Sequence, residues 1–303
     1  MESRWIWRVL AAPGVVWLSV FFLIAMYTVL CVALGNQNTL NEPVPFWNPL
    51  DWNVGYLLDT LRDIWNRGPF FTVFMRTVAY VLFAMALSLL IGYPVAYYTA
   101  RYAGRARGII LVLLVLPFWI SYIMRMFAWT NLLAGDGYAA RGLNALGVDR
   151  VMDQLGVMRG SDWLGGQPVT VVLALTYGYL PFFILPLYAS LDRLDHRLIE
   201  ASRDLGASPL QSFWRTVLPL SKAGILAGLV LIALPMFGDY FTQDLMSGSP
   251  STTMIGNTIN NYVQGGPDKS LGAALTMLLS AFLLVFMLGY LRSMRREQRE
   301  AVA

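Results

Sequence analysis

LDRLDHRLIEASRDLGASPLQSFWRTVLP, residues 191–219, is the stretch whose reading decides the rest of the chain. Leu191, Leu194, Leu198, Ala201 and Leu205 recur at spacings of three and four, which predicts an amphipathic helix. Gly206 is a natural stop for it. Ser208 then fits an N-cap, Pro209 the first helical position and Gln211 the third, so a capping box starts a second short helix with Leu210, Phe213, Trp214 and Val217 on one face. An amphipathic hairpin could simply rest on a lipid surface. Here, however, Asp192, Asp195, Glu200 and Asp204 are mixed among the arginines, which disfavours an anionic membrane surface and suits a protein partner.

On both sides of this stretch the sequence turns apolar. Of 303 residues 57% are hydrophobic and 13% charged, against about 25% charged in an ordinary soluble domain, so the chain belongs in lipid. Six runs near residues 15–34, 70–98, 109–133, 169–190, 223–245 and 271–291 are each long enough to cross about 30 Å of hydrocarbon. The first follows Arg4 and Arg8 and is too long, and lacks a clear small-residue cleavage site, for a removed signal peptide; it is expected to stay as an anchor. Pro94, Pro117, Pro181, Pro186 and Pro235 are expected to interrupt the spans, and Gly178, Gly224 and Gly228 to leave room for close helix contacts. Each has an ordinary packing explanation as well. A short extra helix is expected at Ala139 to Leu146, within the long loop from Ala134 to Gln167.

Six spans put both termini on one side. That side carries Arg4, Arg8, Arg101, Arg105, Arg107, Arg193, Arg197, Arg203, Arg215, Lys222, Arg292, Arg295, Arg296 and Arg299. The other carries Arg62, Arg67, Arg141, Arg150, Arg159 and Lys269. Because Lys and Arg are retained on the cytoplasmic side, both termini and the loops after spans two and four are expected there, in the cytoplasmic (inner) membrane of a bacterium. The net charge of +4 is thus an orientation signal and no nucleic-acid footprint.

Glu200-Ala201-Ser202, with Gly206 six residues after the Glu and Leu218-Pro219 beyond, resembles the EAA loop of the permease subunits of ABC importers. Ser202 in place of the second Ala and Thr216 in place of Ile are mild departures. The resemblance implies a type I permease fold, all α and integral to the membrane, with a coupling helix between spans four and five that docks on a separate cytoplasmic ATPase. It carries the coupling role onto Glu200, Ala201, Ser202, Asp204, Gly206, Ala207, Pro209, Leu218 and Pro219. It further implies a second, related permease chain and an extracytoplasmic substrate-binding protein. The chain is read as one permease domain over 1–303, with five spans in a core of about 70–291 and the first span plus an extracytoplasmic segment in 1–69.

Leu116-Pro117-Phe118-Trp119, Arg125 through Trp129, Tyr179-Leu-Pro181-Phe182 and Gly238-Asp239-Tyr240-Phe241 are similar to the spermidine/putrescine group of these permeases. That group is shared by importers of other small solutes, so an amino-acid derivative, an opine or another organic ion stays open. Arg125, Asp239 and Asp244 lie inside or near the ends of spans, where an unpaired charge costs about 2.5–3.5 kcal/mol on insertion scales. Two compensations are possible. Arg125 can pair with an aspartate from another helix, or Asp239, beside Tyr240 and near Trp119 or Trp129, can line a passage for an ammonium ion.

No G-x-x-x-x-G-K-[ST] loop is present, so ATP is expected to bind on another polypeptide and no cofactor on this one. The single Cys31 and single His196 leave no metal cluster and no acid, base and nucleophile set for a membrane enzyme. A secondary transporter would show repeated halves with broken helices at matching positions, and no clear repeat is seen.

Overall fold

The structure, a computed structural model, describes residues 4–37, 43–68, 70–265 and 269–300. Expectations for the extreme termini therefore lie outside the described residues at 1–3 and 301–303. Fifteen helices account for most of the described chain: α1 Arg4–Ala33, α2 Val54–Arg67, α3 Phe70–Arg101, α4 Arg107–Val115, α5 Tyr122–Leu133, α6 Tyr138–Ala145, α7 Val148–Gln154, α8 Pro168–Asp192, α9 His196–Asp204, α10 Pro209–Ser212, α11 Leu218–Leu220, α12 Lys222–Phe237, α13 Phe241–Met246, α14 Ile255–Gln264 and α15 Lys269–Glu300. Among the described residues the one extended element is an antiparallel pair of two-residue strands, Asn36–Gln37 with Pro43–Val44.

The chain forms two compact units. The first comprises 1–71 and 258–286. Within it α1 exposes Val16, Trp17, Leu18, Phe21 and Phe22, an apolar surface that lipid covers at no cost and water would not. At its end Ala33 packs with Ala273, Ala274 and Leu57. The loop beyond is tied back by bonds from Phe46 N–H to the Cys31 carbonyl and from Asn53 N–H to the Leu34 carbonyl, at 3.2 and 3.0 Å. Gly35 is required there, because a Cβ would stand 2.2 Å from the Val44 carbonyl oxygen.

The second unit, 72–257 with 287–303, holds the functional elements. Its centre is α8 against α12, and small residues set the approach. A Cβ on Gly224 would meet Ser190 Cβ at 2.3 Å, and one on Gly228 would meet the Phe183 ring at 2.8 Å. Phe183, fully buried, reaches Gly92 of α3 on its other side, where an added Cβ would stand 2.6 Å from the ring. Gly178 likewise receives the Tyr122 ring. These are the close contacts expected of glycines in membrane helices.

Among the described residues four helices are long and apolar enough to span a membrane, Val9–Ala33, Phe70–Arg101, Pro168–Asp192 and Lys269–Arg292. The expected third and fifth spans are bent pairs. Gly104–Trp119 and Tyr122–Leu133 meet at 90°, and Pro209–Leu220 and Lys222–Phe237 at 61°. At the first break Pro117, which has no N–H to give, sits inside the 3₁₀ turn Leu116–Trp119, and the chain leaves the helical conformation where Ile120 is extended. Pro94, Pro181, Pro186 and Pro235 instead lie inside continuous helices, so the expectation that prolines interrupt the spans holds only at Pro117. The expected fifth span also ends early: α12 stops at Phe237, and Asp239 lies in the short connection to the separate helix α13, which begins at Phe241.

The loop from Ala134 to Gln167 is a folded cap. The expected helix is present as α6, α7 follows, and Trp163 and Met158 are buried with Met126, Ala140 and Met246 in one apolar cluster. Trp163 Nε1–H donates to Asn144 Oδ1 at 2.9 Å, satisfying the one polar atom of that side chain.

Candidate functional site

Two regions of the second unit bring functional side chains together. The first is the glycine corner. Asp195 caps α9, its carboxylate accepting from Arg197 N–H at 3.0 Å, so the expected helix begins there and Leu191 belongs to the end of α8. Gly206 turns the chain with φ +89°, a conformation that favours glycine. The capping box is complete: Ser208 Oγ accepts from Gln211 N–H at 3.3 Å, and Gln211 Oε1 accepts from Ser208 N–H at 3.0 Å.

Across the corner the hydroxyls of Ser202 and Ser212 are 2.6 Å apart. The chain beyond is no isolated second helix. It runs through a π-helical segment, Phe213–Val217, in which Leu218 N–H reaches back to the Phe213 carbonyl, and enters α12 through the bend at Ser221. Pro219, which has no N–H to give, stands just after the register change. The outer side of the corner is apolar and uncovered: Leu205 is 89% exposed, Leu210 67% and Trp214 59%. Nothing lies within 4 Å of a Cβ built on Gly206.

This corner is joined to the rest of its unit on the inner side. Ser221 O–H donates to the Leu218 carbonyl at 3.0 Å, and its oxygen pairs with the buried Tyr93 hydroxyl at 2.9 Å. Phe213 sits edge-on to Tyr93 and Tyr97, with centroids 5.5 and 5.8 Å away. Arg101, the last residue of α3 at the start of the basic loop, donates to the Leu194 carbonyl at 3.0 Å. The two basic loops expected on one side are thus neighbours. Glu200, Ala201 and Asp204 are exposed along α9, and Ala207 is half-buried.

The second region surrounds Asp239, which is 7% exposed. Its Oδ2 accepts from Tyr122 and Tyr179 hydroxyls at 3.1 Å each and from Thr242 Oγ1 at 2.7 Å; its Oδ1 accepts from Thr242 N–H at 3.0 Å. Tyr122 and Thr242 hydroxyls also touch each other. One carboxylate therefore fastens α5, α8 and α13 together. Gly256 lets α14 start directly against this turn, since a Cβ there would stand 2.7 Å from the Asp239 carbonyl oxygen.

Of the two compensations open in sequence, a pairing of Arg125 with Asp239 is not formed. Arg125, also 7% exposed, lays its guanidinium over the Phe118 ring, 4.3 Å from the centroid, with Tyr122 and Tyr177 at 5.3 and 6.0 Å. Nor does Asp239 meet the aromatics proposed for it: Trp119 is 81% exposed, Trp129 packs edge-on against Tyr177 at 5.3 Å, and Tyr240 stacks with Phe241. Asp244, exposed on α13, accepts from the buried Asn257 side chain at 2.8 Å. Tyr122 and Tyr179 lie inside stretches singled out in the sequence and Thr242 directly follows one, but nothing in the sequence marked them as partners of Asp239. Beside Trp129 and Tyr177 lies an apolar cavity of about 340 Å³, walled also by Leu87, Trp163 and Met246. Among the described residues no group of three or more His, Cys, Asp or Glu side chains is placed to hold a metal.

Residues 70–299 match the family described as binding-protein-dependent transport system inner membrane component. The chain is 35% identical over 226 residues to the spermidine/putrescine transport system permease protein PotB of Escherichia coli (strain K12), covering 75% of this chain and 78% of that one. With PotB of Haemophilus influenzae the identity is 30% over 286 residues, 91% of this chain and 90% of the relative. With the inner membrane ABC transporter permease protein YdcU of E. coli it is 33% over 231 residues, 75% and 72%. In fold the chain is similar to a subunit of a bacterial alginate ABC transporter solved with its alginate-bound periplasmic protein, with a TM-score of 0.65, 18% identity and coverage of 96% and 94%.

Proposed function

We propose, for a chain that belongs to the family of binding-protein-dependent transport system inner membrane components, that it is the permease subunit of an ATP-binding-cassette importer of polyamines, driven through residues 195–219. The observation that carries the coupling role is the glycine corner itself. A helix and its successor are locked by capping and by Ser202–Ser212, yet present Leu205, Leu210 and Trp214 uncovered beside Glu200 and Asp204. A patch that is rigid, apolar at its tip and rimmed by charge is built for a protein partner. The partner is the separate ATPase subunit, and the patch lies on the cytoplasmic side with both termini.

ATP-driven closure of the motor displaces α9 and α10. The displacement enters the spanning helices by two inner contacts, the Phe213 ring between Tyr93 and Tyr97 and the Tyr93–Ser221 hydrogen bond at the foot of α12. Packed elements with two discrete arrangements turn such a shift into a change of access. Two permease chains are needed to enclose a passage, so a second related chain stands beside this one, and an extracytoplasmic binding protein delivers the solute. The core of about 70–291 acts as one permease domain.

The polyamine assignment is supported by relatives 30–35% identical over most of both chains. Asp244 is exposed and steered by Asn257, which makes it the carboxylate open to an ammonium group, while Asp239 shapes the passage by holding Tyr122 and Tyr179. Uptake of radiolabelled putrescine, spermidine, an amino-acid derivative and an opine in cells with and without this gene tests the assignment. Loss of polyamine uptake alone is expected on deletion. Loss confined to another solute would replace the substrate and leave the importer reading intact.

A further inference from the structure

Arg125 is a buried cation, and two of its three guanidinium nitrogens find no acceptor among the described residues. Its Nε and Nη1 are sealed from solvent and donate to no acceptor, while Asp239, the obvious counter-charge, is filled by two tyrosines and Thr242. What holds the guanidinium is a set of ring faces, Phe118, Tyr122 and Tyr177, at 4.3 to 6.0 Å. A residue kept for packing alone would leave no donors stranded, since methionine fills much the same space without desolvating a charge. In a membrane-spanning segment, an ionisable group in this state marks a pathway more often than a strut.

The site has the chemistry of an organic-cation receptor. Three aromatic faces attract positive charge through their quadrupoles, and one of them, Tyr122, donates its hydroxyl to Asp239, so a carboxylate stands behind the ring. Nothing in the box requires a guanidinium in particular, since among the described residues no acceptor meets Nε or Nη1 and its planar fork is not read in full. A primary alkylammonium is smaller and meets the same faces.

We infer that the Phe118–Tyr122–Tyr177 box is an ammonium-binding station in the passage and that Arg125 is its tethered occupant, displaced when an amino group of a linear polyamine arrives. The inference rests on the polyamine reading above. It gives Arg125 a second consequence: a fixed positive charge in the box bars small inorganic cations while no substrate is present, as an arginine does in other selective pores.

The test uses the complete importer, with its ATPase, partner permease and binding protein, reconstituted in proteoliposomes. Phe118→Leu removes the nearest ring and keeps the charge, and it should raise the KM for putrescine about two- to fivefold with ATP hydrolysis preserved, the range expected for one cation–π contact. Arg125→Met should raise substrate-independent potassium leak about tenfold while polyamine uptake persists. Recovery of each complex is checked by co-purification of the ATPase. Unchanged KM in Phe118→Leu, or unchanged leak in Arg125→Met, overturns the station. If Arg125→Met does not assemble, Phe118→Leu alone decides. Wild-type complex that moves no polyamine would overturn the substrate reading first, and that result is read in the wild type, apart from either variant.

Discussion

Ser202 and Ser212 meet hydroxyl to hydroxyl, 2.6 Å apart, across the corner made by Gly206. Ser202 belongs to α9, which carries the exposed Glu200, and Ser212 to the element that continues into α12. A short polar bolt thus makes two helices move as one piece. Ser212 is 1% exposed, so Ser212→Ala strands the Ser202 hydroxyl only in part, because Ser202 also donates to the Ile199 carbonyl at 2.8 Å. The loss should be about 1 kcal/mol of local stability, with the chain still inserted. Transport per ATP hydrolysed should fall, and a transport-to-hydrolysis ratio equal to wild type would show that the bolt is dispensable.

Asp239→Asn keeps shape and removes charge. An amide offers one acceptor oxygen where the carboxylate offers two, so at least one of the donors Tyr122, Tyr179 and Thr242 is left buried without a partner, at about 1–3 kcal/mol each. The subunit should be less abundant and more protease-sensitive, whereas Tyr179→Phe, which removes a donor, should be milder at about 1 kcal/mol. Normal abundance of Asp239→Asn together with reduced uptake would move Asp239 from scaffold to substrate contact.

Gly228→Leu places a side chain where even a Cβ lies 2.8 Å from the Phe183 ring. Phe183 is held on its far side by Gly92 and cannot retreat. Overpacking of this kind costs about 1–3 kcal/mol, and α8 must separate from α12. Thermal stability in detergent should drop by several degrees, while Gly14→Leu on α1, with nothing within 4 Å, should leave it unchanged. Equal stability of the two variants would contradict the packing described.

How far these features were legible in sequence depends on the range of the interaction behind them. The capping box at Ser208 and Gln211 and the stop at Gly206 are local, and they stand as read. So do the glycine contacts at Gly178, Gly224 and Gly228, since a missing side chain in an apolar helix implies a close neighbour. The break at Ile120 was hidden because hydropathy is blind to backbone direction, and Leu116 through Trp129 reads as one apolar run. Asp239 stands out in sequence as a charge in a span; beside the local Thr242, two of its partners are hydroxyls 60 and 117 residues away, which no spacing rule connects.

Topology follows from the basic loops. Gly104 stands between Arg101 and Arg107, beside the corner at Leu194, whereas Asp153 lies on α7 in the folded cap. A reporter active only in the cytoplasm should be active when fused after Gly104 and silent at Asp153. Activity at Asp153 would reverse the placement of the cap.

Docking of the ATPase on the glycine corner is tested most directly by capture of the ATPase by this chain. Glu200→Arg reverses a charge on exposed α9, and Leu205→Asp puts a carboxylate on the 89% exposed tip; neither position is part of the buried core. Both variants should insert at wild-type level, and the ATPase subunit should no longer co-purify with them. Co-purification of the ATPase at wild-type yield with both variants, and with substrate-stimulated hydrolysis intact, would contradict this docking.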